Sequence, residues 1–178
     1  MDFKRLLRNN RGLSLVEVLV TMFIFLFVAG AIYTLTIVGN DIWMANKTRI
    51  ELQQELRKGM DWMIYELRAA GPSSILDVPA DGSWYSSITF KTPSGVSSGS
   101  ISWNATSVQF ILGGTNGQQL QRIFGGSTKL LASNITAVQF RRQVASSDIL
   151  EVSLQAQNTA PGSAALSSDL DFEVQLRN

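Results

Sequence analysis

Between Leu13 and Val38 the chain is apolar, interrupted only by Ser14, Glu17, Thr21, Gly30, Thr34 and Thr36. The run is longer than the roughly 20 residues a helix needs to cross the hydrocarbon core of a bilayer. Residues 1–12, ahead of it, carry Lys4, Arg5, Arg8 and Arg11 against Asp2 alone. A basic flank stays on the cytoplasmic side, so this pattern predicts one membrane crossing with the bulk of the chain on the outer side. Over all 178 residues the charge is balanced, at +1 from 15 basic and 14 acidic groups. Binding to nucleic acid through bulk charge is therefore not expected. The chain contains no histidine and no cysteine. That excludes disulfides, Cys-ligated zinc and every Ser–His or Cys–His catalytic arrangement. Enzymatic function is the least favoured class, and no cofactor is expected.

One residue contradicts the apolar run. An acidic side chain at the centre of an inserted helix costs about 2.5–3.5 kcal/mol, less near the interface, and such a group usually has a partner and a task. Glu17 has no lysine or arginine within the run, and Arg11 is the only close cation. A partner from another molecule is the natural alternative.

The stretch Arg11-Gly12-Leu13-Ser14-Leu15-Val16-Glu17-Val18-Leu19-Val20 resembles the prepilin-type cleavage and methylation signature of type IV pilins and type II secretion pseudopilins. The resemblance implies a basic leader, residues 1–12, removed by a prepilin peptidase after Gly12. It implies N-methylation of the new terminus, Leu13, where the family mostly has phenylalanine. It places Glu17 fifth in the mature chain, as the residue that joins subunits by pairing with a neighbour's terminal amine. Two other readings fit the same segment. A secretory signal peptide would be cut after Ala29-Gly30-Ala31, but a glutamate early in its apolar core argues against it. A plain single-pass anchor would carry an extracytoplasmic binding domain that never polymerises.

Beyond Val38 the chain becomes amphipathic without a break. From Asp41 to Ala70 there is no proline, and Gly59 is the only glycine. Leu52, Leu56, Met60, Met63 and Leu67 follow the spacing of one helical face. Charges lie off that stripe, with Glu55 and Lys58, and Arg57 and Asp61, placed to pair. Gly71-Pro72 predicts the stop, with Gly71 as the C′ glycine. One helix over Leu13–Ala70 is expected, ~87 Å long. Its assembly half covers 13–38 and its amphipathic half 39–70, with a β-rich domain over 71–178. Gly30 and Gly39 read as points of close helix packing in lipid.

From Ser73 to Ser107 the Ser-, Gly- and Pro-rich sequence predicts mostly loop, with a short strand at Ser87–Lys91. Period-two alternation then marks strands around Val108–Leu112, Gln118–Phe124, Ile135–Gln143, Leu150–Ala156 and Phe172–Leu176. Gly113–Gly117 and Gly125-Gly126 turn the chain between them. The expected fold class is α+β: a long N-terminal helix whose stripe is covered by antiparallel sheet. Asp169, Asp171 and Glu173 have the oxygens for calcium, but Asp171 and Glu173 also fit the outward face of the last strand. Arg141 and Arg142 fall on opposite faces of a strand and make no basic patch. Trp84, Tyr85 and Trp103 read as loop anchors or as a partner surface.

The layout, with Leu67-Arg68-Ala69-Ala70-Gly71, Leu120–Phe124, Ile135–Arg142, Ile149–Ala156 and Val174-Gln175-Leu176-Arg177-Asn178, is similar to the J-type minor pseudopilins. The resemblance implies a non-enzymatic subunit of a type II secretion pseudopilus, with a minor type IV pilin as the alternative. Its implied partners are other pseudopilins or pilins, the prepilin peptidase and the bacterial inner membrane. The globular domain would lie in the periplasm.

Overall fold

The computed structural model describes residues 14–97, 99–144, 148–160 and 164–177. The leader, Gly12 and Leu13 lie outside the described residues. A single helix, α1, runs Leu15–Leu67. The chain divides into two compact units, Met1–Trp43 and Met44–Asn178.

The first unit is the apolar part of α1. Its large side chains face outward all round the helix, with Phe23, Phe25 and Phe27 each more than 70% exposed. A window of 18 residues has a mean hydropathy of 2.6, and none of it is buried. Length and composition suit a bilayer crossing.

In the second unit α1 buries Thr48, Leu52, Leu56, Gly59, Met63 and Leu67. These positions recur every three or four residues and form one stripe against the sheets. Burying one such leucine or methionine side chain contributes about 1.5–3 kcal/mol. The stripe is centred on Gly59, with Met60 only partly buried beside it. A Cβ at Gly59 would lie 3.1 Å from Leu120 Cδ2, 3.4 Å from Ala132 Cβ and 3.9 Å from Leu154 Cδ1. The bare backbone at this position lets the helix lie close against the sheets.

Two antiparallel sheets receive the stripe. β1 (Ile88–Ser97), β2 (Ser100–Gly113), β3 (Gln119–Phe124) and β4 (Ser127–Ser133) form the first, in sequence order. β5 (Ile135–Arg142), β6 (Ile149–Thr159) and β7 (Ala165–Gln175) form the second. The Ile135 amide donates to the Gln118 carbonyl at 3.1 Å, tying the start of β5 to the segment leading into β3. One apolar core runs through both sheets and the helix. Phe90 and Phe110 meet within it, with ring centroids 5.4 Å apart. Gly125 and Gly126, both at positive φ, turn β3 into β4 as a two-residue hairpin requires.

Several expectations need correction. Of the stretch 73–107 read as mostly loop, 73–87 holds no strand beyond isolated bridges, but the part from Thr92 on belongs to a long hairpin, β1 to β2, with register shifts around Pro93 and Gly95. Pro93 and the bulges hide the alternation while cross-strand hydrogen bonding persists. β4 carries no period-two signal, because Leu131 and Ala132 are both buried where the ladder slips between Leu120 and Gln121. β7 starts at Ala165, seven residues before the predicted Phe172. The helix stops at Leu67, and Gly71 is not a left-handed cap: its φ is −103°. Gly71 is needed for close approach, since a Cβ there would sit 2.9 Å from Trp103 Cη2. Lys58 meets Glu55 at 3.6 Å, whereas no Arg57–Asp61 pair forms among the described residues.

Candidate functional site

The helix begins with a local device. The Ser14 hydroxyl oxygen accepts from the Glu17 amide at 3.2 Å, and the Ser14 carbonyl accepts from the Val18 amide at 3.2 Å. Ser14 is thus the N-cap and Glu17 stands at N3, the spacing of a capping box. An acid in the first turn also faces the positive end of the helix dipole. The Ser-x-x-Glu pattern was visible in the sequence, but the sequence reading gave Ser14 no role.

Hydroxyls further along return their hydrogen bonds to the helix. Thr21 Oγ1 lies 2.9 Å from both the Glu17 and the Val18 carbonyls. Thr34 donates to Gly30 at 3.0 Å and Thr36 to Ile32 at 2.9 Å. These threonines therefore present little unsatisfied polarity to a lipid surround. Glu17 differs. It is the only charged side chain between Leu15 and Val38, and its carboxylate has no partner among the described residues. Gly30 and Gly39 have nothing within 4 Å of an added Cβ, so both faces are open to a neighbouring helix.

In the second unit the residues singled out from sequence are accounted for by local structure. Tyr85 pairs with Phe140 through two backbone hydrogen bonds of 2.8 Å, and its hydroxyl donates to Asp81 Oδ2 at 2.7 Å. That bond, with one from the Ser83 amide, holds the Asp81 carboxyl below its ordinary range and pushes the Tyr85 phenol up. Trp103 covers Gly71. Trp84 lies under the Arg141 guanidinium at 4.4 Å.

Arg141 and Arg142 face opposite ways, as expected. Arg141 Nε donates to Glu151 at 2.9 Å. Arg142 is buried and donates to the Val78 carbonyl at 3.2 Å, and desolvation lowers its pKa. The Gln143 amide, followed by Arg141, holds the Glu151 carboxyl below its ordinary value. Asp169, Asp171 and Glu173 all point outward from β7. Among the described residues no group of three or more acidic side chains is placed to hold a metal ion. Gly113–Gly117 is the turn between β2 and β3.

The prokaryotic N-terminal methylation motif matches residues 7–33 of the chain. No curated protein matches it. The motif indicates a type IV pilin or pseudopilin, a class of structural proteins. It implies processing by prepilin peptidase and assembly with other pilins.

Proposed function

We propose that this chain is a minor pseudopilin of a type II secretion system. It is made in the bacterial inner membrane with its globular unit in the periplasm. It is cleaved after Gly12, N-methylated at Leu13 and built into a pseudopilus through α1. A minor type IV pilin follows the same steps, and the readout below separates the two.

The observation that carries the proposal is the carboxylate of Glu17, the only charged side chain between Leu15 and Val38 of an exposed apolar helix. Cleavage after Gly12 frees an amine at Leu13, and Glu17 of an adjacent subunit supplies the opposite charge. In a bundle of helices this pair is attractive, and an unpaired Glu17 is penalised. The penalty sets the register between subunits more than it adds net stability. Ser14 supports the arrangement by fixing where the helix starts, and so where the Glu17 side chain emerges.

Two variants test this. Gly12→Val blocks the cut, and N-terminal sequencing of the membrane fraction should find the leader retained. A wild-type protein beginning at Ile32 would identify a secretory signal peptide and overturn the proposal. Glu17→Ala should still be cleaved after Gly12 and inserted at least as well as wild type. Its crosslinking to partner subunits should fall, because losing one member of a buried pair costs about 3–5 kcal/mol. Wild-type crosslinking in Glu17→Ala would refute the register role. Loss of protein secretion, with piliation intact, assigns the secretion system; the reverse assigns the pilus.

A further inference from the structure

The strands at the ends of the two sheets are not alike. Beside β1, Ile75 bridges Phe90 and the Leu76 amide donates to the Thr89 carbonyl at 2.9 Å, while Pro93 and the register shifts break the rest of that edge. Beside β5, Tyr85 bridges Phe140 and the Gly82 amide donates to the Arg142 carbonyl at 3.1 Å. β4 is short, and its Ser133 amide donates to the Glu55 carboxylate of α1 at 2.6 Å. β7 has none of these features. It runs for 11 residues without proline or lysine, in unbroken register with β6. Among the described residues no strand or bridge occupies its other edge. Folded proteins blunt exposed edges with bulges, proline, lysine or a covering segment. An edge left open over this length is a template for one more strand.

The two faces of β7 describe that strand. On the outer face Asp169, Asp171 and Glu173 stand at every second residue, exposed and in no ion pair among the described residues. Successive carboxylates on such a face are about 7 Å apart. Across the ladder they meet no cation: Asp169 faces Gln155, Asp171 faces Ser153 and Glu173 faces Glu151. The Glu151 carboxylate is itself held by Arg141 and Gln143. On the inner face Leu166, Leu170 and Phe172 are only partly buried against the core. A cavity of about 160 Å³ lies beside this row, with Leu56 and Arg57 of α1 on one side and Ser168, Asp169 and Leu170 of β7 on the other. Arg57 shares the cavity with Asp169 without forming an ion pair with it.

We propose that β7 accepts an extended segment of another protein, basic at alternate residues and apolar at those between. The backbone of that segment continues the β5–β6–β7 ladder, so main-chain hydrogen bonds supply affinity and alternate side chains supply specificity. Its lysines or arginines lie beside Asp169, Asp171 and Glu173. Its apolar side chains cover Leu166, Leu170 and Phe172, and one of them enters the cavity next to Leu56. A second copy of the chain does not fit this role. Setting β7 on another β7 brings two rows of carboxylates together, and like charges across a strand pair are destabilising. The acidic row therefore keeps copies apart and selects a partner of opposite charge. This surface is distinct from α1, and the proposal does not rest on the assembly reading above.

The test uses the full-length chain in phosphatidylcholine nanodiscs, with empty nanodiscs as the blank, and synthetic peptides as long as β7. One peptide alternates Lys and Val, one has the same residues in scrambled order, and one alternates Glu and Val. The alternating basic peptide should bind roughly tenfold or more tighter than the scrambled one, as several cross-strand pairs act together. The acidic peptide should not bind. With the basic peptide bound, amide hydrogen exchange should slow on residues 165–175 and on no other strand. Asp169→Lys, Asp171→Lys and Glu173→Lys, made together, should reverse the preference, so that the acidic peptide binds and the basic one does not. Such a gain of binding cannot come from lost folding, and a thermal melt of the variant checks the fold directly. Equal binding of the two basic peptides, protection away from β7, no binding of any peptide, or dimers of the chain protected at β7 without peptide would each overturn the proposal.

Discussion

The two parts of α1 share a secondary structure and almost nothing else. Before Trp43 the helix exposes large apolar side chains in every direction, and none of its most apolar window is buried. After Met44 it buries one stripe and exposes charge on the other side. Backbone hydrogen bonding makes both parts helical, because that bonding is local. Only the second part finds its apolar partners within the chain. The first requires a surround supplied by something else, and the placement of its polar groups says what kind. Threonines bond back to the helix, while the Glu17 carboxylate has no partner among the described residues.

The contrast can be broken most forcefully at the stripe. Leu56, 2% exposed, packs between helix and sheets. Leu56→Asp should cost several kcal/mol, enough to unfold the second unit, because a buried unpaired charge outweighs a marginal total stability. Phe25→Ala, on the first part, should leave the same circular dichroism melt unchanged. Equal effects would mean that the two parts share one core.

A smaller effect is expected at the ion pair that fastens the helix flank to β3. Arg122 Nε reaches both Glu66 oxygens, at 2.6 and 2.9 Å, with Glu66 only 10% exposed. Glu66→Ala leaves the guanidinium without its acceptor and should lower stability by about 1–3 kcal/mol in urea unfolding. A double-mutant cycle with Arg122→Ala isolates the coupling.

Gly59 sharpens the comparison from the opposite side. Gly59→Ala gains roughly 1 kcal/mol of helix propensity but brings a Cβ to 3.1 Å from the flexible Leu120 Cδ2, so the two effects nearly cancel. Gly59→Val should cost about 1–3 kcal/mol by overpacking. The same pair of substitutions at Gly39, where nothing lies within 4 Å, should not change the melt of the second unit.

The smallest effect concerns acid. Glu151 has its carboxyl held below the ordinary value of 4.5 by the Gln143 amide and then by Arg141. A carboxyl depressed in the folded state contributes stability that is fully present above its unfolded pKa. That contribution is lost as pH falls through the lower folded value. Glu151→Gln should therefore flatten the decline in Tm below pH 4.5 and leave the slope at neutral pH unchanged. An identical acid limb in the variant would show that Glu151 does not govern it.

Much of this architecture can be read from residue order. The apolar run, the four-and-three spacing of Leu52, Leu56, Met63 and Leu67, and the alternation of Leu150, Val152, Leu154 and Ala156 each report a local period. Arg141 and Arg142 show how reliable such a period is: adjacent strand residues go to opposite faces, one onto Glu151 and Trp84, the other beneath Val78. The candidate site was equally local, since Glu17 stands out against its neighbours. Ser14 was legible too, as the first residue of Ser-x-x-Glu.

Residue order by itself determined the apolar helix, its lone carboxylate and the period-two strands, because those depend on neighbours within one or two turns. Tertiary structure decided what depends on a distant backbone. Residues 92–97 and 100–107 are strand because each segment of the β1–β2 hairpin supplies the other's hydrogen-bond partners, whatever its Ser, Gly and Pro content. β4 buries two consecutive residues because the ladder slips one position beside β3. Gly59 and Gly71 sit where little room is left for a side chain, because Leu120 and Trp103, 61 and 32 residues further along the sequence, come within van der Waals reach of them. No local period encodes such contacts. They arise only when the sheets close on the helix and the room beside a backbone atom is set by a side chain from another element.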